Sequence, residues 1–219
     1  MDFGGLIRSI DWNWLEVTMM RVLAVLLCLT VHETCHGLAA YALGDPTAQE
    51  RRRLSLNPLR HIDWLGLAMM LAVGFGWAKP VPVDPRYFKK PKQGMALTAL
   101  AGPVSNFVLA FLAMLFCSRV LAGFITSDAC LAYKLYVCLQ LHLAPLSIGL
   151  GLFNLLPIPP LDGAKVLGAF LPERTYFGLM RYERYGMFLL LALSCFGVVG
   201  NLLNEAVRGI YWFFLELCV

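Results

Sequence analysis

Four long apolar runs, at about 17–43, 95–118, 136–171 and 185–204, alternate along the chain with short polar loops. The first would form a helix of about 40 Å at 1.5 Å rise per residue, enough to cross a bilayer. Gly44-Asp45-Pro46 ends it. The third run is interrupted by Pro157, Pro159 and Pro160, which predicts unwinding near Leu156 and a short helical continuation over 161–171. A fifth stretch, WLGLAMMLAVGFGWA at 64–78, is apolar but short. The last stretch, 206–218, is too short to span by length and carries Arg208 and Glu216, which places it at the membrane surface. Ahead of the first run, Ile7, Ile10, Trp14 and Val17 recur at helical spacing. Residues 5–16 therefore read as an interfacial helix.

Composition agrees with this pattern. Hydrophobic residues make up 59% of the 219 and charged residues only 15%, against about 45–50% and about 25% in ordinary soluble domains. Mean hydropathy is +0.67. The expectation is an all-α polytopic membrane protein of about four to six transmembrane helices, forming a single domain over 1–219. No polar block is long enough to fold separately. The opening residues lack the charged-then-apolar pattern of a cleavable signal peptide. The seven cysteines include no CxxC pair and argue against a disulfide framework.

Charge then sets the topology. The net charge of +4 is no nucleic-acid signal, because the basic residues gather in short loops beside apolar runs. The loops 49–63, 79–94 and 161–184 hold 13 of the 18 Lys and Arg residues, so all three belong on the cytoplasmic side. Two of them flank 64–78. A segment that leaves and returns on one side is re-entrant, and 64–83 is read so; a short tilted span is the alternative. Such backbone must be shielded by protein.

Candidate chemistry sits inside the first run, where residues 32–36 read His-Glu-Thr-Cys-His. A helix puts i and i+4 on one face, so His32 and His36 can reach one zinc ion, with Glu33 beside them as general base. HExxH is expected by chance about 0.002 times in a chain of this composition. The bland alternative is a hydrogen-bonded histidine pair. Cys35 reads as a small buried thiol. A catalytic zinc needs a third protein ligand and an open position. His61 and Asp63 lie in a polar loop, and His142 lies deep in the third run. Asp162 is the strongest candidate: it follows the three prolines in apolar surroundings, at a depth like that of the histidines, about 10–16 Å from the inside end of the first span. Its alternative role is helix N-cap. Asn106 and Asn154 can be polar links between helices.

Five blocks carry a family resemblance: VHETCHGLAAYALGDPTA, LSLNPLRHIDWLG, FGWAKPVPVDPRYF, ALAGPVSNFVLAF and FNLLPIPPLDGAKVLGAFLP. In this order, and covering most of residues 20–200, they resemble the intramembrane site-2 proteases in their compact bacterial form without a PDZ domain. The resemblance implies a zinc metalloprotease, with one Zn2+ per chain, that cuts transmembrane segments of other proteins in a bacterial inner membrane, from the cytoplasmic half. It implies His32, His36 and Asp162 as metal ligands and Glu33 as catalytic residue. It also implies Asn154, and less specifically Asn106, as substrate-binding positions at the active site. Partners are then the lipid bilayer and transmembrane substrates, with no nucleic acid. Two rival functions are a membrane metal transporter or sensor and a proteolytically inactive scaffold. The first would space its ligands along a path, whereas here they gather at one depth.

Overall fold

Helix α1 (Trp12–Ala42) opens the described chain, which in this computed structural model comprises residues 11–66, 78–124, 130–181, 183–195 and 197–219. Asp11 caps it, its carboxylate accepting from the Trp14 N–H at 3.1 Å. The helix runs from Trp12 without a break. Residues 12–16 are thus its first turn, not part of a separate interfacial helix; the rest of that predicted element lies mostly outside the described residues. Gly44 ends the helix at φ 104°, a backbone region that suits glycine. The buried Asp45 then accepts from the Thr47 N–H at 2.9 Å, opening the short α2 (Thr47–Glu50).

Helix α3 (Pro91–Arg119) is the central element and packs on most of the others. Its buried face is rich in small residues, among them Gly94, Ala99, Gly102, Ala110 and Ala113. Small side chains let helix backbones approach closely where lipid gives no hydrophobic drive to associate. Helix α4 (Cys130–Tyr136), a π-helical stretch (Val137–Leu143) and α5 (Ala144–Asn154) follow as one continuous rod. The prolines separate it from α6 (Asp162–Gly168), as the sequence predicts. Three helical segments among the described residues, 12–42, 91–119 and 131–154, are long and apolar enough to cross a membrane. No β-strand occurs among them, only an isolated antiparallel bridge between Ile62 and Ala78.

The C-terminal part departs from expectation. The predicted span 185–204 is not one helix. Helix α7 (Glu173–Arg181) is followed by α8 (Glu183–Cys195), and Gly197, at φ 70°, precedes α9 (Val198–Cys218). Residues 206–218, expected at the surface, belong to α9. Val207, Ile210, Tyr211 and Phe214 form a stripe at helical spacing that packs on Ala110, Met114, Ala144 and Ile148. Length and the charges of Arg208 and Glu216 hid this, yet both side chains are exposed, away from that stripe.

The segment 67–77, at the heart of the re-entrant prediction, lies outside the described residues. Its two ends meet. The Lys79 N–H donates to the His61 carbonyl at 2.9 Å, beside the Ile62–Ala78 bridge.

Candidate metal centre

Two helices bring three side-chain atoms to a common point. His32 and His36 are successive turns of the buried face of α1, and Asp162 is the first residue of α6. His32 Nε2 lies 3.0 Å from His36 Nε2, and the two nitrogens lie 3.2 and 3.1 Å from Asp162 Oδ2. All three residues are buried.

The donor set fits a zinc ion. Ligands about 2.0–2.1 Å from a tetrahedral centre stand about 3.3 Å apart, close to the edges of this triangle. The protonation pattern agrees. A carbonyl only accepts, so the 2.7 Å contact between His36 Nδ1 and the Thr98 carbonyl puts the ring proton on Nδ1. In the neutral ring Nε2 then offers a lone pair, aimed at a carboxylate oxygen that also offers lone pairs. Such a meeting of acceptors calls for a positive centre between them, and an outer hydrogen bond of this kind is the usual support of a metal-ligating histidine.

Helix α3 forms the back wall. Thr98, Gly102 and Asn106 stand four residues apart and so share one stripe. A Cβ on Gly102 would lie 2.4 Å from His36 Nε2 and 2.7 Å from His32 Cε1. Only glycine leaves room for both rings. Pro103 lacks the N–H that would bond the Ala99 carbonyl, which loosens the ladder at this level. Asn106, with no exposure, places Nδ2 3.1 Å from His32 Nδ1, and its carbonyl accepts from the Ser147 hydroxyl at 2.8 Å.

Asp162 divides its two oxygens. Oδ2 faces the histidines, while Oδ1 accepts from Lys165 Nζ at 3.3 Å, one turn along α6. The backbone N-terminal to α6 must come close to the end of α5. A Cβ on Gly163 would stand 2.2 Å from the Leu155 carbonyl oxygen, which explains why glycine follows the aspartate.

Glu33 is half-buried, and its Oε2 accepts from the Val81 N–H at 2.8 Å. That N–H belongs to the proline-rich segment 79–84, held at two points, one on α1 and one on the turn that follows it. The second is the Asp84 N–H, which donates to Asp45 Oδ2 at 2.7 Å. Gly37 permits the approach: a Cβ there would stand 3.2 Å from Val81 Cγ1. Arg53 adds a bond from its guanidinium to the Lys79 carbonyl at 2.6 Å. The half-buried Asp84 carboxyl is held below the usual carboxylate range by the Arg86 guanidinium beside it.

The structure thus gathers His32, His36, Asp162 and Asn106, and leaves Asn154 apart. Asn154 donates from Nδ2 to the Leu150 carbonyl of its own helix at 2.9 Å, on the half-buried end of α5. The other candidates take different partners. His61 is buried with Nε2 2.7 Å from the Ser55 carbonyl, and Asp63 accepts from the Leu65 and Gly66 N–H groups. Both line, with His142, a cavity of about 790 Å³ bounded by α1, α5 and α9. None of the metal-cluster residues lines it. Sequence reasoning missed the Thr98 carbonyl, the Val81 N–H and Lys165. The first two are backbone groups, which no residue type advertises; Lys165 could have been found from its i,i+3 spacing to Asp162.

Comparison with known proteins agrees with this geometry. The model of peptidase family M50 matches residues 125–196. A Bacillus subtilis protein named "Putative zinc metalloprotease YwhC" is 38% identical over 179 residues, covering 78% of each chain. Proteins named "Putative zinc metalloprotease Rip2" are similar over longer stretches. That of Mycolicibacterium smegmatis is 27% identical over 207 residues, covering 92% of this chain and 75% of the relative, and that of Mycobacterium tuberculosis is 30% identical over 205 residues, covering 90% and 74%. No solved structure matches the chain.

Proposed function

The chain belongs to peptidase family M50, and from that premise we propose that it is a zinc-dependent intramembrane endopeptidase of the site-2 protease type. Its substrates are transmembrane segments of other membrane proteins. The observation that carries the reading is the triangle of His32 Nε2, His36 Nε2 and Asp162 Oδ2 inside an apolar helix bundle. Burying such groups costs at least ~2–3 kcal/mol for each charge, and metal chemistry is a reason to keep them there.

His32, His36 and Asp162 would hold the zinc ion, which would supply Lewis acidity to activate a water and polarise the scissile carbonyl. Glu33, one position from His32, takes the proton from the attacking water and returns it to the leaving amine. The Val81 N–H steadies the Glu33 carboxylate through Oε2 and leaves Oε1 for the proton. A helix hides its peptide bonds, so the substrate must unwind before it is cut. Asn154 is suited to hold unwound backbone: it stands half-buried at the end of α5, next in sequence to Phe153, which lines the apolar cavity. The paired ends of 67–77 support a re-entrant segment, and the basic loops support a cytoplasmic approach for water in a bacterial inner membrane.

The test compares wild type with Glu33→Gln, both reconstituted with a panel of single-span substrates, for zinc content and cleavage. Zinc in both, with cleavage lowered at least ~100-fold in Glu33→Gln, is the expected result. Undiminished cleavage by Glu33→Gln would sink the mechanism.

A further inference from the structure

The outer nitrogens of both histidines face α3. His36 Nδ1 finds the Thr98 carbonyl, and His32 Nδ1 finds the side chain of Asn106 two turns further on. Asn106 is fully buried, and its Oδ1 has no hydrogen-bond partner among the described residues. The amide therefore holds an acceptor in reserve, beside the one ring nitrogen that it touches. Its place is fixed from behind, because the Ser147 hydroxyl on α5 bonds the Asn106 carbonyl.

A neutral imidazole carries one N–H. With the proton on His32 Nε2, the ring donates to Asp162 Oδ2, and Nδ1 accepts from the Asn106 NH2. Metal binding needs the Nε2 lone pair, so the proton must move to Nδ1. Two donors would then face each other across 3.1 Å. A half-turn of the Asn106 amide about its last torsion removes the conflict, because it puts Oδ1 where Nδ2 stands.

We propose that Asn106 is a positioning residue that selects the tautomer of His32, its amide oxygen accepting the Nδ1–H so that the Nε2 lone pair points at the metal. This replaces the reading of Asn106 as a substrate contact: a side chain sealed behind a histidine ring does not meet substrate. It rests on the zinc reading above. The two histidines are then supported alike from one helix, one by a backbone carbonyl and one by a side-chain amide.

The test is zinc affinity of the full chain in detergent, measured by competition with a chromophoric chelator. Asn106→Asp keeps an acceptor at the same place, and carboxylate-supported histidines are common zinc ligands. Asn106→Leu keeps the branched shape and removes the acceptor. Affinity is expected to fall about ten- to a hundredfold in Asn106→Leu and to stay near wild type in Asn106→Asp. Wild-type affinity in Asn106→Leu, or equal loss in both variants, overturns the proposal. Where a variant fails to fold, nitrogen-edited NMR of histidine-labelled, zinc-loaded wild type decides: a His32 Nδ1–H with the downfield shift of a hydrogen-bonded proton supports it, and an Nδ1–H without that shift overturns it. A wild type that takes up no zinc overturns the metal reading itself and this role with it, whereas zinc-binding wild type with an indifferent Asn106→Leu overturns this role alone.

Discussion

The Nε2 of His32 lies 3.2 Å from Oδ2 of Asp162, across 130 residues of chain. Nothing local joins them, so the contact exists only when α1, α3 and α6 are packed together. Removing the carboxylate should therefore abolish the site while leaving α1 intact. Asp162→Ala is expected to lower zinc affinity by more than ~100-fold, beyond the loss typical of an outer supporting residue, with helicity by circular dichroism unchanged. Full zinc retention would mean that another residue is the third ligand.

Gly102 makes a prediction that involves no ligand atom. A methyl group there would fall 2.4 Å from His36 Nε2, and one or both rings must turn away. Gly102→Ala should weaken zinc binding at least ~10-fold, since displaced ligands lose the geometry that the ion requires. Gly149→Ala, whose Cβ meets nothing nearer than 3.7 Å, serves as the control and should bind zinc normally. Equal affinities would show that the rings have more freedom than the packing implies.

Val81 separates metal binding from proton transfer. It sits between Pro80 and Pro82, which bias it toward extended backbone, so Val81→Pro suits that local preference while deleting the N–H that bonds Glu33. Hydrogen bonds to charged groups are worth about 1.5–3 kcal/mol, or roughly ten- to a hundredfold in rate. Cleavage should drop by that range with zinc content unchanged. A parallel fall in zinc would place the segment in the metal site instead.

Topology is tested by single cysteines at positions 57 and 90, both on exposed residues flanking the 64–78 stretch. A membrane-impermeant maleimide should label Asn57→Cys and Lys90→Cys from the same side of sealed vesicles. Labelling from opposite sides would make the stretch a span.

Much of the site was written in residue types. Spacing alone paired His32 with His36, because a helix places i and i+4 together. Proline breaks and apolar surroundings singled out Asp162 before any contact was known. The fold was legible where hydropathy and length agree, as in 17–43 and 95–118, whose helices run 12–42 and 91–119. It was misread where one turn decides the outcome. Gly197, at φ 70°, splits what a hydropathy window joins, and the stripe from Val207 to Phe214 packs a segment that its length and the charges of Arg208 and Glu216 suggested was superficial. The supporting contacts were harder still. The Thr98 carbonyl and the Val81 N–H exist at every residue, so only three-dimensional packing says which are used. The stripe of Thr98, Gly102 and Asn106 was visible as a four-residue repeat but had no meaning until the rings lay against it.

Because Asp162 lies 130 residues after His32, the metal triangle can close only after most of the chain has been made. A nascent polypeptide that has inserted α1 and α3 owns both histidines and the glutamate, yet has no carboxylate to close the triangle. The order of residues along the chain therefore keeps the metal triangle incomplete until α6 has joined the bundle.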